Sequence, residues 1–308
     1  MRVLVTGAGG NLGRATIPAL REAGHQPVAF DFRPIRTDAD FVQGDVRVAD
    51  DVARAMNGCE AVVHAAALHG IHLAHWPPHE FFSINVDGSF TVFEAARAVG
   101  VERFVLASTM GVYGESLEAT AGSWAWVHED LPTLPKDVYG VSKVLAEELG
   151  RFYVRIGAMR VVALRFGMYV PATFEHYGFR LLFGGVDERD VARSVLLALE
   201  HAPPHGFDAF DIMADTPFVP EDARAMNDDP LAVIESYWPG SIELFEQRRV
   251  DARSFIWARF LWPVDKAKAE LGYRPAWGFD TFLDALRTGD TARYPFLGLP
   301  HWGVPAES

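Results

Sequence analysis

The chain has 308 residues, of which 49% are hydrophobic, and a formal net charge of −13 at pH 7. That length and apolar content suffice for one large core with a smaller appendage, whereas the negative charge disfavours nucleic acid and anionic membrane surfaces as partners. The one cysteine, Cys59, excludes an internal disulfide and is typical of a protein of the reducing cytoplasm. No stretch reaches the length of a membrane span, and the apolar run after Arg2 is too short for a signal peptide.

The first predicted element is a buried strand that begins at Val3 and runs into a glycine-rich turn and a helix. Gly7, Gly10 and Gly13 follow the G-x-x-G-x-x-G spacing, in which successive glycines allow a sharp turn, close approach of an anion and tight helix packing. Because the free N–H groups and the positive dipole end of the helix face the turn, this stretch predicts a diphosphate site. A tight strand–helix turn that binds no ligand is the alternative for this motif taken alone.

A helix over 14–23 and a strand over 26–31 are predicted next, and the strand ends in Asp31. A carboxylate at this distance from the glycine turn accepts hydrogen bonds from an adenosine ribose and repels a 2′-phosphate, so it favours NAD over NADP. Arg33, close by, weakens this preference. A solvated acid at a strand end is the alternative for Asp31.

Strands and helices alternate through the first half of the chain. Further strands are predicted over 41–46, 60–67, 104–108 and 159–166, with helices over 49–57, 79–99 and 136–157. This alternation predicts an α/β fold with a Rossmann-type doubly wound parallel sheet and a ligand crevice at the carboxyl ends of the strands. Ala65, Ala66 and Ala67 would leave room for the ligand there, whereas His64 is expected to be a hydrogen-bonded core histidine.

The alternation breaks at about residue 167, after which short helices, prolines and tryptophans follow. The later predicted elements are a helix over 187–200, a strand near 209–213 and a helix over 264–271. We therefore predict an NAD-binding Rossmann domain over 1–166 and a smaller, partly irregular, substrate-binding cap over 167–308. The cap is interleaved with the Rossmann core around 187–213.

Four histidines, His69, His72, His75 and His79, follow the fourth predicted strand. Their spacing is irregular and no cysteine or carboxylate completes a ligand set, so we predict no metal site here. The segment is interpreted as a loop that covers a substrate.

Tyr139 and Lys143 lie four residues apart in a predicted helix and so share one face. A free tyrosine, with a pKa of about 10, is a poor base, and a nearby ammonium is expected to lower that pKa. Tyr139 is therefore predicted to exchange a proton with a carbinol or carbonyl, and Lys143 also to hydrogen-bond a nicotinamide ribose. Ser108 and Thr109 end a predicted strand, where a hydroxyl can hold the substrate oxygen; ordinary strand-end capping is the alternative.

Together these motifs resemble the extended short-chain dehydrogenase/reductase family, the NAD-dependent epimerase/dehydratase group. The matching segments are 6–13, 31, 45–46, 64–67, 85–88, 108–114 and 139–143. The resemblance implies a Rossmann domain that holds NAD and a homodimer formed through the helices over 79–99 and 136–157. It also implies that Thr109 is the catalytic hydroxyl residue, that Tyr139 is the acid/base and that Lys143 is its partner.

Motifs and resemblance together predict a set of cofactor contacts, in which Asp45 and Val46 flank the adenine. The predicted cofactor-binding residues are Gly7, Gly10, Asn11, Leu12, Gly13, Asp31, Arg33, Asp45, Val46, Ala65, Ala66, Ala67, Asn85, Ser108, Tyr139, Lys143 and Phe166. The predicted substrate-binding residues are His69, Thr109, Met110 and Arg180.

The resemblance also narrows the reaction. Met110 and Gly111 stand where sugar 4,6-dehydratases carry an Asp-Glu pair, which disfavours dehydration. The stretch over 177–182 is similar to uronate dehydrogenases, in which an arginine at the position of Arg180 binds the sugar carboxylate. Residues 215–262 have no counterpart in those enzymes and could cover a different substrate.

We therefore predict an NAD-dependent oxidoreductase that acts on the carbinol or carbonyl of a small sugar or sugar acid. A nucleotide-sugar epimerase with the same three catalytic residues is the alternative. The short segment between Arg165 and Asp187 disfavours it, because nucleotide-sugar enzymes carry a long segment there. A dinucleotide sensor without catalysis would not need Tyr139 and Lys143.

Overall fold

A computed structural model of the chain describes residues 1–118, 124–203, 205–256 and 259–299. Residues 300–308, at the end of the predicted cap, lie outside the described residues, as do 257–258 within the stretch 215–262.

Seven parallel strands form the main sheet. The strands of the chain are β1 (Arg2–Thr6), β2 (Gln26–Asp31), β3 (Asp40–Gln43), β4 (Ala61–His64), β5 (Arg103–Thr109), β6 (Ala125–Trp126), β7 (Arg160–Phe166), β8 (Phe207–Ile212) and β9 (Phe260–Leu261). The sheet order is β3-β2-β1-β4-β5-β7-β8, and β6 pairs with β9 in a separate two-stranded sheet. The order reverses between β1 and β4, which opens a crevice at their carboxyl ends. The predicted Rossmann-type fold is confirmed.

Helices cover both faces of this sheet and build the C-terminal part. They are α1 (Asn11–Glu22), α2 (Ala49–Met56), α3 (Pro78–Phe81), α4 (Gly88–Val99), α5 (Val138–Arg155), α6 (Phe174–Arg180), α7 (Glu188–Glu200), α8 (Asp222–Asp228), α9 (Pro230–Tyr237), α10 (Ser241–Gln247), α11 (Asp265–Glu270) and α12 (Phe279–Thr288). The stretch predicted as one helix over 79–99 consists of α3, a π-helical segment Phe82–Asp87 and α4. Such segments are frequent at functional sites.

The alternation of side chains along the central strands divides the core into two layers. Val3 and Val5 of β1 join the apolar cluster that contains α1 and α7, whereas Leu4 joins the cluster on the opposite face, with α2, α4 and α5. A strand that is buried on both faces needs apolar residues at every position, which accounts for the continuous apolar run at the start of the chain.

The C-terminal part has an aromatic core of its own. Phe179 stacks on Phe255 with ring centroids 5.3 Å apart, and Phe279 and Phe282 lie against it. Helices α8, α9 and α10, which lie in the stretch 215–262, contribute to the same cluster. The region interleaved with the Rossmann core supplies β8 to the main sheet and α7 to its surface. Across the described ranges, no helix is both long enough and apolar enough to span a bilayer.

Candidate active site

The glycine-rich turn has the geometry of an anion cradle. Gly7 has φ of +66°, and a Cβ there would lie 2.7 Å from the backbone nitrogen of Ala66. A Cβ on Gly13 would lie 2.5 Å from Cα of Ala8, so glycine is what lets α1 start this close to β1. Gly10 precedes α1 and supplies no side-chain cap. The first N–H groups of the helix therefore point into the crevice, where they fit a diphosphate.

A cavity beside this turn, at the end of β2, fits the adenosine half of a dinucleotide. The predicted residues that line it are Gly7, Gly10, Asp31, Arg33, Asp45, Val46, Ala65, Ala66 and Ala67. Asp31 is buried and accepts hydrogen bonds from the N–H groups of Gly9 and Arg33, at 2.9 and 3.0 Å. These bonds fix its carboxylate at the cavity wall, where a ribose would meet it. The Arg33 guanidinium lies 3.7 Å from that carboxylate.

Sequence reasoning missed the outer wall of this cavity, which Arg47, Trp76 and Glu80 form. Arg47 pairs with Asp45 at 2.6 Å and with Glu80 at 3.3 Å, so it joins the loop before α2 to α3. Because Glu80 lies 33 positions from Arg47, no local spacing in the sequence points to this contact.

The predicted catalytic residues line a second cavity. It shares Gly7, Gly10, Ala65, Ala67 and Leu68 with the first, so the two form one crevice. The predicted residues that line the second cavity are Gly7, Gly10, Asn11, Leu12, Ala65, Ala67, His69, Ser108, Thr109, Tyr139, Lys143 and Phe166. The His69 ring lies 5.0 Å from the Tyr139 ring. Ile71, His72, Gly167, Tyr169 and Val170 also line this cavity and were not predicted as site residues.

Tyr139 and Thr109 line the same cavity. Burial raises the pKa of Tyr139 above its usual value, and the side chain of Thr109 opposes that rise. The Lys143 ammonium donates to the backbone oxygen of Ala107 at 2.8 Å, and burial lowers its pKa to about 8. Lys143 is not among the groups that act on the pKa of Tyr139. The expectation that Lys143 lowers this pKa is therefore wrong for the chain by itself, because desolvation of the phenol dominates.

A buried ion pair joins β7 to α5, the helix that carries Tyr139 and Lys143. Glu147, one turn after Lys143, accepts two hydrogen bonds from Arg165, at 3.0 and 2.8 Å. Ser108 donates its hydroxyl to the same carboxylate at 2.7 Å. The hydroxyl of Ser108, although it lies at the cavity, therefore holds the end of β5 against α5. Glu147 also favours the charged form of Lys143, against the effect of burial on the pKa of that lysine.

Asn85, a predicted cofactor residue, is buried and lines neither cavity. Its amide accepts from the N–H of Leu68 at 2.7 Å and donates to Leu68 O at 3.0 Å and to Ser142 Oγ at 2.8 Å. Asn85 thus holds Leu68, which lines both cavities. This π-helical residue positions the crevice wall.

Met110, Gly13 and Arg180 also stand outside the residues that line the two cavities. Met110 packs against the main core. Arg180 donates to Val170 O at 3.2 Å, and its buried Nε has no hydrogen-bond partner among the described residues. Because Val170 lines the catalytic cavity, Arg180 lies directly behind its wall.

His64 is a buried core histidine, as predicted, with both ring nitrogens hydrogen-bonded. In the histidine-rich loop, His69 and His72 accept hydrogen bonds from backbone N–H groups of a short turn. Over the part of the chain that the structure describes, no three His, Cys, Asp or Glu side chains come together as a metal site.

The sequence and the fold of the chain are similar to those of known enzymes. The sequence model of the NAD dependent epimerase/dehydratase family matches residues 3–178. A solved short-chain dehydrogenase/reductase superfamily protein from Agrobacterium tumefaciens, with bound NAD, superposes with a TM-score of 0.69 at 26% identity. The superposition covers 95% of this chain and 98% of that one.

Three curated relatives share about a third of their aligned residues with this chain. L-arabinose 1-dehydrogenase (NAD(P)(+)) of Haloferax volcanii is 36% identical over 56% of this chain and 68% of its own length. Uronate dehydrogenase of Agrobacterium fabrum is 31% identical over 67% of this chain and 74% of its own length. UDP-glucose 4-epimerase of Corynebacterium glutamicum is 30% identical over 54% of this chain, which spans only 50% of that protein.

Proposed function

Because this chain belongs to the NAD dependent epimerase/dehydratase family, we propose that it is an NAD-dependent oxidoreductase of a small free sugar or sugar acid. One observation carries the proposal: Thr109, Tyr139 and Lys143 line one cavity that is continuous with the glycine-rich cradle. A carbinol that enters this cavity meets a proton acceptor beside the place where a nicotinamide would lie.

Thr109, Tyr139 and Lys143 have separate roles in the proposed reaction. Thr109 orients the substrate oxygen, and Tyr139 Oη exchanges a proton with it. Lys143, held by Ala107 O, keeps an ammonium in the same cavity, where it would hydrogen-bond a nicotinamide ribose. Bound NAD⁺ would supply the hydride acceptor and, on its ring, a positive charge that favours the phenolate. The neutral phenol that burial enforces suits Tyr139 equally to protonate a carbonyl in the reverse direction.

Two features support a small substrate. The segment between β7 and α7 contains only the short helix α6, which leaves little chain to grip a nucleotide diphosphate. Arg180, half-buried behind the cavity wall with no acidic partner in the described chain, is available to a sugar carboxylate. His69 and the stretch 215–262 would cover the sugar. L-arabinose and uronate dehydrogenases are among the relatives.

The test is turnover. The protein is incubated with NAD and a panel of L-arabinose, other aldoses, D-galacturonate, D-glucuronate and UDP-glucose, while NADH absorbance is followed. We expect NADH from an aldose or a uronate. Tyr139→Phe should lower kcat/KM about 10²- to 10⁴-fold, because it removes the acid/base group and keeps the ring.

Two results would contradict the proposal. Interconversion of a UDP-sugar without net NADH, together with no turnover of free sugars, would favour the epimerase alternative. Full activity of Tyr139→Phe would remove the catalytic role of the phenol.

We also propose a homodimer in a reducing cytoplasm. Phe90 of α4 and Phe152 and Ile156, within and just after α5, are each 42–52% exposed. The two helices lie side by side, since the rings of Phe93 and Tyr153 stack at 4.8 Å. A second copy of the chain would cover this apolar surface. The single cysteine, Cys59, cannot form an internal disulfide, which suits a reducing compartment.

A further inference from the structure

A second phenol faces the catalytic cavity. Tyr169 lies just beyond the end of β7, in a segment that the sequence motifs leave unassigned, and it lines the same cavity as Tyr139. Its backbone is fixed, because its neighbour Met168 donates to Gly184 O at 2.8 Å and accepts from the N–H of Val186 at 3.1 Å. The phenol is therefore presented by a rigid strand end.

The Tyr169 ring is anchored and its hydroxyl is not. The ring packs on the main core and meets Phe166 edge-on, with centroids 5.7 Å apart. No group in the described part of the chain forms a hydrogen bond with its hydroxyl. Tyr169 is half-buried, so its hydroxyl is open to an occupant of the cavity.

The surroundings of Tyr169 keep it neutral. Burial raises its pKa above the usual value, and the nearby Tyr139 and Glu188 add to that rise. Glu188 itself pairs with Arg14 at 3.7 Å. A phenol that stays protonated can donate one hydrogen bond and accept others, and a sugar hydroxyl can take either role opposite it.

We propose that Tyr169 is a specificity-determining residue, whose hydroxyl hydrogen-bonds a substrate hydroxyl next to the reacting carbon. This inference rests on the proposed function, since it takes a polyhydroxylated sugar as the occupant of the cavity. Tyr139 exchanges the proton of the reacting oxygen. Tyr169 instead selects substrates that have a hydroxyl in the matching configuration on the neighbouring carbon.

The test is Tyr169→Phe, which removes one oxygen and keeps the ring. Steady-state KM and kcat are measured for the best sugar in the panel and for its 2-, 3- and 4-deoxy analogues. We expect KM for the parent sugar to rise about 5- to 10-fold, the range of one neutral hydrogen bond. For one deoxy analogue the two proteins should have equal KM, because the partner hydroxyl is missing there. The limbs of the kcat pH profile should not move.

Tyr153→Phe is the matched control. Tyr153 is also buried, but its hydroxyl bonds Glu94 at 2.7 Å on the α4–α5 surface, away from the cavity. Its loss should leave KM unchanged for every sugar. Thermal unfolding and NAD titration of each variant report folding and cofactor binding independently of the substrate.

Three results would overturn this inference and leave the proposed function standing. They are an unchanged KM in Tyr169→Phe, an equal rise of KM for the parent sugar and every deoxy analogue, or a lower kcat with a shifted pH profile. The second would mean that Tyr169 only shapes the cavity, and the third that it exchanges protons. If the unchanged protein turns over no sugar in the panel, the proposed function fails and the inference with it.

Discussion

At the scale of single residues, His64 makes stability depend on pH. It is 2% exposed and bonds Thr6 Oγ1 at 2.7 Å and Ser89 Oγ at 2.9 Å. Burial, and secondarily the charge of Lys143, lower its pKa to about 3. The unfolded chain binds this proton below about pH 6.5, whereas the folded chain does not until about pH 3. The free energy of unfolding should therefore fall as the pH drops through that interval.

The prediction is checked by urea unfolding of the unchanged protein and of His64→Gln between pH 7 and 4. The His64 contribution to the slope is at most about 1.4 kcal/mol per pH unit, so the variant should show the shallower dependence even if it is less stable throughout. His79→Gln, at an exposed position in α3, should retain the full slope. Equal slopes in all three proteins would contradict the assignment.

Tyr139 and Lys143 show which properties of a site can be predicted from local spacing in the sequence. Four residues along a helix place Tyr139 and Lys143 on one face, and both do line the same cavity. Spacing does not predict how deeply a group is buried. Burial controls the pKa of both residues here. Tyr139 is buried against Leu68 and Phe81, which are distant from it in the sequence.

At the scale of elements, the junction of β1 and α1 has no room for a side chain. Gly13→Ala would bring a Cβ within 2.7 Å of three backbone atoms of Ala8, which cannot rotate away. We expect α1 to shift, with a loss of about 1–3 kcal/mol in the free energy of unfolding, as for other overpacked sites. NAD binding should weaken as well, because the helix start no longer meets the diphosphate.

Chemical denaturation and a fluorescence titration with NAD measure the two effects of Gly13→Ala. Gly278→Ala is the matched control, since Gly278 has ordinary extended backbone and a Cβ there would lie 3.7 Å from Asp215 O. That variant should unfold and bind NAD like the unchanged protein. Near-normal NAD affinity in Gly13→Ala would show that the cradle tolerates a shift of α1.

The helical stretch that passes the crevice carries a residue that positions the crevice wall. Its predicted single run over 79–99 is interrupted by the π-helical segment Phe82–Asp87, which carries Asn85. Three hydrogen bonds link that amide to Leu68 and Ser142. Helical periodicity predicts the existence of the helix. It does not predict the π-helical interruption, whose residue Asn85 bonds partners distant in sequence.

At the scale of the whole molecule, the proposed homodimer predicts twice the chain mass of 34.1 kDa in light scattering. Combined Phe90→Glu and Phe152→Glu substitutions place two charges on the exposed α4–α5 surface and should yield a monomer, because burial of an unpaired carboxylate is costly. Val219→Glu, at another exposed apolar position, should leave the mass unchanged. A monomeric unchanged protein would exclude this dimer.

The sequence by itself determined the Rossmann fold and the family, and it predicted the catalytic trio. These follow from short-range patterns: strand–glycine–helix succession, an acid at the end of β2, and a phenol and an amine one helical turn apart. Family membership confirms the predicted resemblance to extended short-chain dehydrogenases, and similarity to uronate dehydrogenase extends through much of the chain.

Only the tertiary structure decided what surrounds that trio. It brought Tyr169 to the cavity, joined Arg47 to Glu80 across the adenosine end and placed the Glu147–Arg165 pair behind Lys143. It also folded the helices of the stretch 215–262 around an aromatic core. The physical reason is common to all of these: each contact joins residues far apart in the chain, and desolvation depends on every neighbour at once.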